Sequence, residues 1–197
     1  MLVDEIMSSN DIVKTLLRLE FLQDRNTYNH SIGVAKLTEK LLEKFEKKYA
    51  VVYSAKERKE ILIAVLLHDI GKIFVPFNLT SSTDKFSKDS LEKSIIDGHS
   101  AVGALMVSTL VSQIIYDIIL YHHKPEDCHG QNYKVTSALF LVHIADIYNA
   151  LTTNRPYRNI NTPKEAIEKI RENNESIYCD ILEEEIEEEQ LLYNTNC

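Results

Sequence analysis

Polar residues that could do chemistry interrupt the most apolar part of this sequence. His68, Asp69 and Lys72 stand in the stretch LLHDIGKIFVP, directly after the apolar run ILIAVLL. Burying an unpaired charge costs roughly several kcal/mol or more, so such side chains need partners or a metal ion. The stretch therefore predicts a catalytic metal site at the end of a buried helix.

Other histidines and a second aspartate occupy similar positions elsewhere in the chain. Five histidines and two aspartates fall on five predicted helices, and no simple network of buried polar groups would satisfy them all. These candidates are His30, His68, Asp69, His99, His122, His123 and Asp146. Bound divalent metal ions would satisfy every one of them, so we predict that they are metal ligands.

The residue types in this set also restrict the metal. Imidazoles and carboxylates without clustered thiolates disfavour a structural zinc site. Mixed nitrogen and oxygen ligands favour iron or manganese, with cobalt, nickel and zinc as alternatives. Seven ligands exceed what one tetrahedral ion uses, and a carboxylate can bridge two ions. The sequence thus predicts a dinuclear centre of the kind that clamps a phosphate and supplies a nucleophile.

Lys72 follows His68 by one helical turn and has two interpretations. A cation beside the metal ions would stabilise the negative charge that develops on a phosphate during hydrolysis. The alternative is an exposed lysine that interacts with the dipole of a helix C-terminus. We expect the catalytic role.

Composition limits the function further. The chain has 197 residues, of which 44% are hydrophobic and 26% charged, which suits one soluble domain with its own core. Its net charge of −8 argues against binding duplex nucleic acid, which needs a basic face. A small phosphorylated ligand held by a few local cations remains compatible with it.

Targeting signals are absent from the sequence pattern. The N-terminus does not resemble a signal peptide, and the uninterrupted apolar runs are shorter than the roughly 20 residues of a membrane span. We therefore expect a cytoplasmic protein without a membrane partner. Free thiols are predicted for the three scattered cysteines, Cys128, Cys179 and Cys197.

Apolar residues recur at intervals of three and four, which predicts an all-α fold. We expect an N-terminal helix in residues 1–25 and a single helical domain in residues 26–197. A loop is predicted at Val75–Asp89. In the N-terminal helix Ile12, Leu16, Leu19 and Leu22 share one apolar face, and in the next helix Val34, Leu37, Leu41 and Phe45 do the same. Further helices are predicted at Thr27–Tyr49, from Ser54 towards Gly71, Ser90–Leu110, Ser112–His123, Val135–Thr153, from Thr162 and Pro163, and at Ile181–Leu192.

From Asn26 to Glu188 the chain resembles the HD superfamily of metal-dependent phosphohydrolases, and within it the HD-GYP subfamily. The resemblance rests on five motifs in order: HSIGVA at His30, LLHDIGKIFVP, LEKSIIDGHSAVG, YHHKPED and IADIYNALTTNRPYR. The combination is more specific than an isolated His-Asp pair. It implies a helical bundle with a dinuclear metal site at its centre.

The resemblance also implies individual roles. One metal ion would be held by His30, His68, Asp69 and Asp146. Asp69 would bridge to a second ion, held by His99, His122 and His123. Arg155 and Arg158 would contact phosphate, which suits guanidinium groups. Members of the subfamily are bacterial phosphodiesterases that open cyclic di-GMP, so this activity is the expected one.

The chain departs from the subfamily pattern at three points. The Gly-Tyr-Pro loop that follows the paired histidines is replaced by HHKPEDCHGQNY, which predicts modest selectivity among cyclic dinucleotides. Asn26 stands where some relatives have a glutamate that supports a third metal, so two metals are expected. Asn149 stands where an aspartate is common.

Two alternatives to the expected activity stay open. One is hydrolysis of another nucleotide or small phosphate ester. The other is a non-enzymatic module that senses or scaffolds cyclic dinucleotides. In either case regulation could come from a homodimer or a regulatory protein partner. Outside the ligand set, His143 could orient a ligand or be partly exposed, and His129 is expected in a loop.

Overall fold

The structure is a computed structural model that describes residues 1–80, 86–87, 89–153, 160–174 and 176–195. Within these ranges the protein is helical and has no β-strand, which confirms the predicted all-α bundle. Two short 3₁₀ turns lie at Ile70–Phe74 and Pro125–Asp127. The α-helices are α1 Leu2–Ser9, α2 Asp11–Gln23, α3 Arg25–Tyr49, α4 Ala55–Leu66, α5 Phe77–Thr80, α6 Leu91–Asp97, α7 His99–Val107, α8 Gln113–Tyr121, α9 Tyr133–Thr152, α10 Pro163–Arg171 and α11 Ser176–Thr195.

Helix α3 is central to the bundle and packs against α9, α4, α2 and α11. Its buried stripe contains the four residues predicted from the sequence, Val34, Leu37, Leu41 and Phe45. The stripe recurs at intervals of three and four residues, so one face of the helix meets the core along its length. This packing fixes the position of His30 in the bundle, since His30 lies in the second turn of the same helix.

The first 25 residues form two helices, where a single N-terminal helix was expected. The side chain of Asn10 accepts a hydrogen bond from the Val13 backbone N–H and so begins α2 at the point where α1 has ended. Helix α1 is held to α3 by the buried carboxylate of Glu39, which accepts from the backbone N–H groups of Leu2 and Val3 at 2.6 and 3.2 Å.

Of the four residues that share an apolar face in the sequence of α2, only Leu16 is buried. Ile12, Leu19 and Leu22 are exposed, the last at 71%. The core face instead carries Val13, Leu16, Leu17 and Glu20. Apolar residues occur on more than one side of this helix, so its periodicity permits two faces. Packing against α3 and the turn Ile70–Phe74 selects the one that includes a glutamate.

Helix α4 begins as predicted, with a capping box between Ser54 and Glu57, but it ends at Leu66. The chain then tightens into the 3₁₀ turn, where Gly71 approaches α7 closely. A Cβ atom at Gly71 would lie 1.9 Å from the carbonyl oxygen of His99. The glycine was predicted as a helix stop, and the structure shows that it permits contact between two parts of the polar cluster.

The single helix predicted at Ser90–Leu110 is divided at Gly98 into α6 and α7. The later helices follow the prediction within a few residues, except α11, which begins earlier than Ile181. Thr162 caps α10 with Pro163 in its first turn, as expected. The predicted loop at Val75–Asp89 contains the short helix α5, and residues 81–85 and 88 of it lie outside the described residues.

Helix α9 is long and apolar enough to cross a membrane by composition alone, the one such helix in the described part of the chain. However, 56% of its apolar window is buried inside the protein, as in the core helix of a bundle. This is weak evidence for a span, and the cytoplasmic location stays a prediction. Cys128 and Cys179 are buried free thiols, as predicted, while Cys197 lies outside the described residues.

Candidate metal centre

Five elements of the bundle bring the predicted ligands together. Helix α3 supplies His30, and the junction between α4 and the first 3₁₀ turn supplies His68 and Asp69. The remaining ligands come from the start of α7, the two residues that follow α8 and the second turn from the C-terminus of α9. In that order they are His99, the pair His122 and His123, and Asp146. All except His123 are buried, and the side chain of His123 is 45% exposed.

Asp69 lies at the centre of the cluster, and its two carboxylate oxygens face different histidines. Oδ1 is 3.0 Å from Nε2 of His99 and 4.0 Å from Nε2 of His122. Oδ2 is 3.6 Å from Nε2 of His68 and 3.9 Å from Nε2 of His30. Ligand atoms about 2.0–2.3 Å from an ion stand about 3–4 Å from one another. The spacing therefore suits one ion on each side of this carboxylate.

Asp146 provides the second carboxylate of the cluster. Its Oδ1 is 2.8 Å from Nε2 of His30 and 3.8 Å from Nε2 of His68. Its Oδ2 is 3.6 Å from Nδ1 of His123. Three groups of potential ligand atoms are compact enough to hold an ion. They are His30, His68 and Asp69; then Asp69, His99, His122 and His123; and finally His68, His122 and Asp146.

Three of the imidazoles are oriented by the backbone. Nδ1 of His68, His99 and His122 lies 2.7, 2.5 and 2.8 Å from the carbonyl oxygen of the residue three positions earlier. A neutral imidazole that donates through Nδ1 leaves the lone pair of Nε2 free. Each Nε2 atom therefore faces the cluster as an acceptor, which is the form that binds a metal ion.

Burial keeps three imidazoles of the cluster, those of His68, His122 and His123, uncharged. Desolvation lowers the pKa of His68 and lowers that of His122 well below its ordinary value, where the neighbouring His123 adds to the effect. Desolvation likewise lowers the pKa of His123 to about 4. Because metal ions bind neutral histidine, these three imidazoles can bind a metal ion at neutral pH without first releasing a proton.

The carboxylates behave in the opposite way. Burial opposes ionisation of Asp69, but Lys72, His68 and His99 outweigh it and hold its pKa well below the usual value. For Asp146 burial again opposes ionisation, and the hydrogen bond with His30 together with His68 and His122 lowers the pKa. Both carboxylates are therefore ionised, so the cluster combines neutral nitrogen donors with two negative charges.

Several buried donor and acceptor atoms of the cluster lack hydrogen-bond partners among the described residues. They are Nε2 of His68, His99 and His122, and Oδ1 of Asp69. Although His99 Nε2 and Asp69 Oδ1 are only 3.0 Å apart, their geometry does not make a hydrogen bond. Unpartnered buried polar atoms are costly and rare, and all four point to the same space. The residues present thus fit divalent metal ions.

Lys72 is directed into the cluster. Its Nζ lies 2.6 Å from Oδ2 of Asp69, and its side chain is only 20% exposed. This contact argues against the alternative of a solvated lysine at a helix end. It leaves a cation on the side of Asp69 that also faces His30 and His68.

Asn149 contacts the cluster in a way the sequence analysis did not predict. Its Oδ1 lies 2.7 Å from Nδ1 of His30 and accepts a hydrogen bond from the Thr153 hydroxyl at 3.2 Å. Gly33 leaves the space for this side chain, since a Cβ at Gly33 would lie 2.5 Å from Nδ2 of Asn149. Asn149 therefore does for His30 what backbone carbonyls do for the other three histidines. Its position one helical turn after Asp146 was the available signal.

Glu20 is a second residue that sequence analysis missed. It is buried on the core face of α2, and its carboxylate oxygens have no partner within hydrogen-bond geometry among the described residues. Burial, and then the charge of Asp69, raise its pKa to about 8. It is therefore protonated at neutral pH. The signal was its spacing of three and four residues from Leu17 and Leu16.

The other predicted site residues have mixed outcomes. Arg155 and Arg158 lie outside the described residues. Nδ1 of His143 lies 2.7 Å from the carbonyl oxygen of His122, so His143 supports the backbone beside a candidate ligand. His129 is exposed in a loop, as expected.

The segment that replaces the Gly-Tyr-Pro loop uses its polar residues for structure. Gln131 donates a hydrogen bond to Asp117 of α8, and Asn132 caps α9 by accepting from the Val135 N–H at 3.1 Å. Gly130 has a φ of 83°, in the left-handed region that glycine adopts readily. These contacts hold the segment against α8 and α9.

Comparison with known proteins agrees with this geometry. Residues 27–151 match the HD domain. A cyclic di-GMP phosphodiesterase from Pseudomonas aeruginosa is 30% identical over 182 residues, which is 87% of this chain and 42% of the relative. A cyclic di-GMP phosphodiesterase from Thermotoga maritima is 26% identical, covering 85% of this chain and 46% of the relative.

A third relative is the 3′3′-cGAMP-specific phosphodiesterase 1 of Vibrio cholerae, which is 26% identical over 79% of this chain and 35% of its own length. The chain thus spans less than half the length of these curated relatives. The helical bundle and the buried histidine and aspartate cluster define a protein of the HD type. The chain belongs to the HD domain family, whose match covers more than half of it.

Proposed function

We propose that this chain is the catalytic domain of a phosphodiesterase that hydrolyses a cyclic dinucleotide, cyclic di-GMP or a close analogue, with two divalent metal ions. The observation that carries the proposal is the position of Asp69, whose two oxygens face separate sets of Nε2 atoms. The named activities of three relatives, all phosphodiesterases of cyclic dinucleotides, support the substrate class.

In this proposal His30, His68, Asp69 and Asp146 would hold one ion, and Asp69 would hold a second together with His99, His122 and His123. When bound, two such ions supply Lewis acidity and a nucleophile at neutral pH. The mixed nitrogen and oxygen donors favour iron or manganese over zinc, cobalt and nickel. The two carboxylates would offset only part of the positive charge of two divalent ions, so the centre would keep a net positive charge that attracts an anionic ester.

The chain's own residues then divide the remaining work. Lys72 is positioned beside Asp69 to stabilise the charge that develops on the phosphate oxygens. Water adds to phosphorus, and the P–O3′ bond of the cyclic dinucleotide breaks to give a linear product with a 5′-phosphate. His123 is the half-exposed member of the cluster, so we expect substrate to approach from its side.

Arg155 and Arg158 are proposed as further contacts for substrate phosphate. Two guanidiniums near a dianionic substrate would bind it through paired, charged hydrogen bonds. Arg155→Ala should therefore reduce hydrolysis of cyclic dinucleotides more than hydrolysis of a small aryl phosphodiester.

The test is a side-by-side rate measurement on protein loaded with iron or manganese. The substrates are cyclic di-GMP, 3′3′-cGAMP, a linear dinucleotide, a nucleoside monophosphate and an aryl phosphodiester. We expect the cyclic dinucleotides to be cut fastest. Hydrolysis of monophosphates alone would establish a general phosphohydrolase instead, and binding of cyclic dinucleotides without cleavage would establish a sensor.

A further inference from the structure

A cavity of about 600 Å³ opens beside the proposed metal centre. Lys72, His99 and His123 form the wall that it shares with the centre. The rest of its lining comes from α6, the end of α8 and the turn that follows α8, and includes Lys93, Tyr121 and Lys124. Its volume lies within the roughly 300–1,000 Å³ of small-molecule sites. A substrate that reaches the centre from the side of His123 has to occupy it.

The three lysines that line this cavity differ in their ion pairs. Lys72 contacts Asp69, and Lys93 pairs with Asp97 one helical turn away. Lys124 forms no ion pair with any described residue, although Asp127 also lines the cavity. On a chain of net charge −8, an exposed lysine without a partner beside a metal centre is a local attractor for an anion.

Lys124 also has a fixed relation to the centre. It directly follows His123, so the Cα atoms of the two residues are about 3.8 Å apart. The lining of the cavity also contains Tyr121 and Leu120, which provide aromatic and apolar surface of the kind on which bases stack. The cavity therefore combines a cation and an apolar wall within reach of the ligand cluster.

We propose that Lys124 binds the second phosphate of a cyclic dinucleotide while the first lies against the metal centre. This inference rests on the proposed function, and it names the group that distinguishes a dinucleotide from a simple phosphodiester. A cyclic dinucleotide carries two phosphodiesters in one ring, so a substrate with one of them at the centre must direct the other into the cavity or to its rim. Lys124 is the cation there that is not already paired within the described part of the chain.

The experiment compares KM and kcat for cyclic di-GMP and for bis(p-nitrophenyl) phosphate, which has one phosphate. Loss of a charged hydrogen bond should raise KM for cyclic di-GMP about tenfold or more in Lys124→Ala. That increase should exceed the change for the aryl ester at least about fivefold. Lys124→Arg should restore most of the loss. Lys56→Ala is the matched control, since Lys56 is 84% exposed and lies outside the cavity wall.

A binding measurement gives a readout that does not depend on turnover. Titration calorimetry with the linear dinucleotide pGpG should show the same order of affinity: wild type, then Lys124→Arg, then Lys124→Ala. Equal effects of Lys124→Ala on both substrates, or no effect on KM and on pGpG affinity, would overturn the inference and leave the proposed function standing. A wild-type protein that cuts the aryl ester but no cyclic dinucleotide would overturn both.

Discussion

The Oδ1 atom of Asn149 lies 2.7 Å from Nδ1 of His30, on the side of the ring away from Asp146. His30 is the one histidine among the buried candidate ligands whose Nδ1 partner is a side chain. The other three are oriented by the carbonyl oxygen of the residue three positions earlier in the chain. The orientation of His30 therefore depends on contact between α3 and α9, because His30 and Asn149 are 119 positions apart in sequence.

Asn149→Ala should weaken metal binding about 10–100-fold, the usual effect of removing a partner that orients a ligating histidine. The reason is that His30 loses the acceptor that fixes its tautomer. Asn149→Asp retains an acceptor for His30, so its metal affinity should decrease far less. The Mn²⁺ affinity of both variants is measured by titrating metal-free protein against a chromophoric chelator. The exposed Asn173→Ala is the control. Unchanged affinity in Asn149→Ala would show that His30 is held by other contacts.

Gly71→Ala should destabilise the protein by about 1–3 kcal/mol, as overpacking of a close contact does. The new Cβ would lie 1.9 Å from the His99 carbonyl oxygen, so α7 has to move and His99 with it. Gly98→Ala is the matched control, because its Cβ would make ordinary contacts no closer than 3.4 Å. It should change stability by less than about 1 kcal/mol.

Urea unfolding and metal stoichiometry report on the two glycine variants. Gly71→Ala should also lower the metal content, since His99 belongs to the second proposed ion. Equal stability and equal metal content for the two variants would be incompatible with the close approach of the 3₁₀ turn to α7.

Glu20→Gln should change how stability depends on pH. The folded pKa of Glu20 is raised from 4.5 to about 8, so the folded protein retains this proton when the unfolded chain has released it. The stability linked to the proton is fully present below pH 4.5 and decreases as pH rises to about 8. In that window the loss is about 1.4 kcal/mol per pH unit for one proton.

Glutamine does not ionise, so the free energy of unfolding of the variant should increase steadily relative to that of the wild type between about pH 5 and pH 8. Urea unfolding at several pH values, with EDTA present to exclude bound metal, measures the difference. Exposed Glu5→Gln is the control. Parallel stability curves for Glu20→Gln and the wild type would mean that Glu20 is ionised in the folded protein.

Lys72→Ala should lower turnover by roughly 10²–10³, the effect of removing one group that stabilises transition-state charge. The metal content should stay near that of the wild type, because Lys72 contacts Asp69 but is not a ligand. Single-turnover hydrolysis and elemental analysis of the same preparation measure the two quantities. A wild-type rate in Lys72→Ala would show that Lys72 does not stabilise the transition state.

Much of the scaffold could be predicted because the deciding signals are local. The stripe from Val34 to Phe45 repeats at helical spacing, and the Ser54 and Thr162 caps are short-range contacts. The seven candidate ligands could also be chosen from sequence, since buried imidazoles and carboxylates at helix ends are costly without a metal. The structure brings all seven into one cluster.

The features that could not be predicted depend on contacts between distant elements. The face of α2 is selected by α3 and the turn Ile70–Phe74, which turns Glu20 inwards and Leu22 outwards. Likewise, the partnership of Asn149 with His30 exists only once α3 and α9 are packed. Periodicity describes which residues share a face, but it does not state what lies against that face.

The most direct test of the account is the number of metal ions bound by wild type and by Asp69→Ala, measured by elemental analysis after anaerobic purification. The wild type should bind about two equivalents per chain, and Asp69→Ala should lose most of both, because the two oxygens of Asp69 face both sets of histidines. Circular dichroism and the isosteric Asp69→Asn show whether the fold is retained, and the exposed Asp11→Ala should keep the full load. A folded Asp69→Ala that carries the wild-type amount of metal would contradict the dinuclear centre.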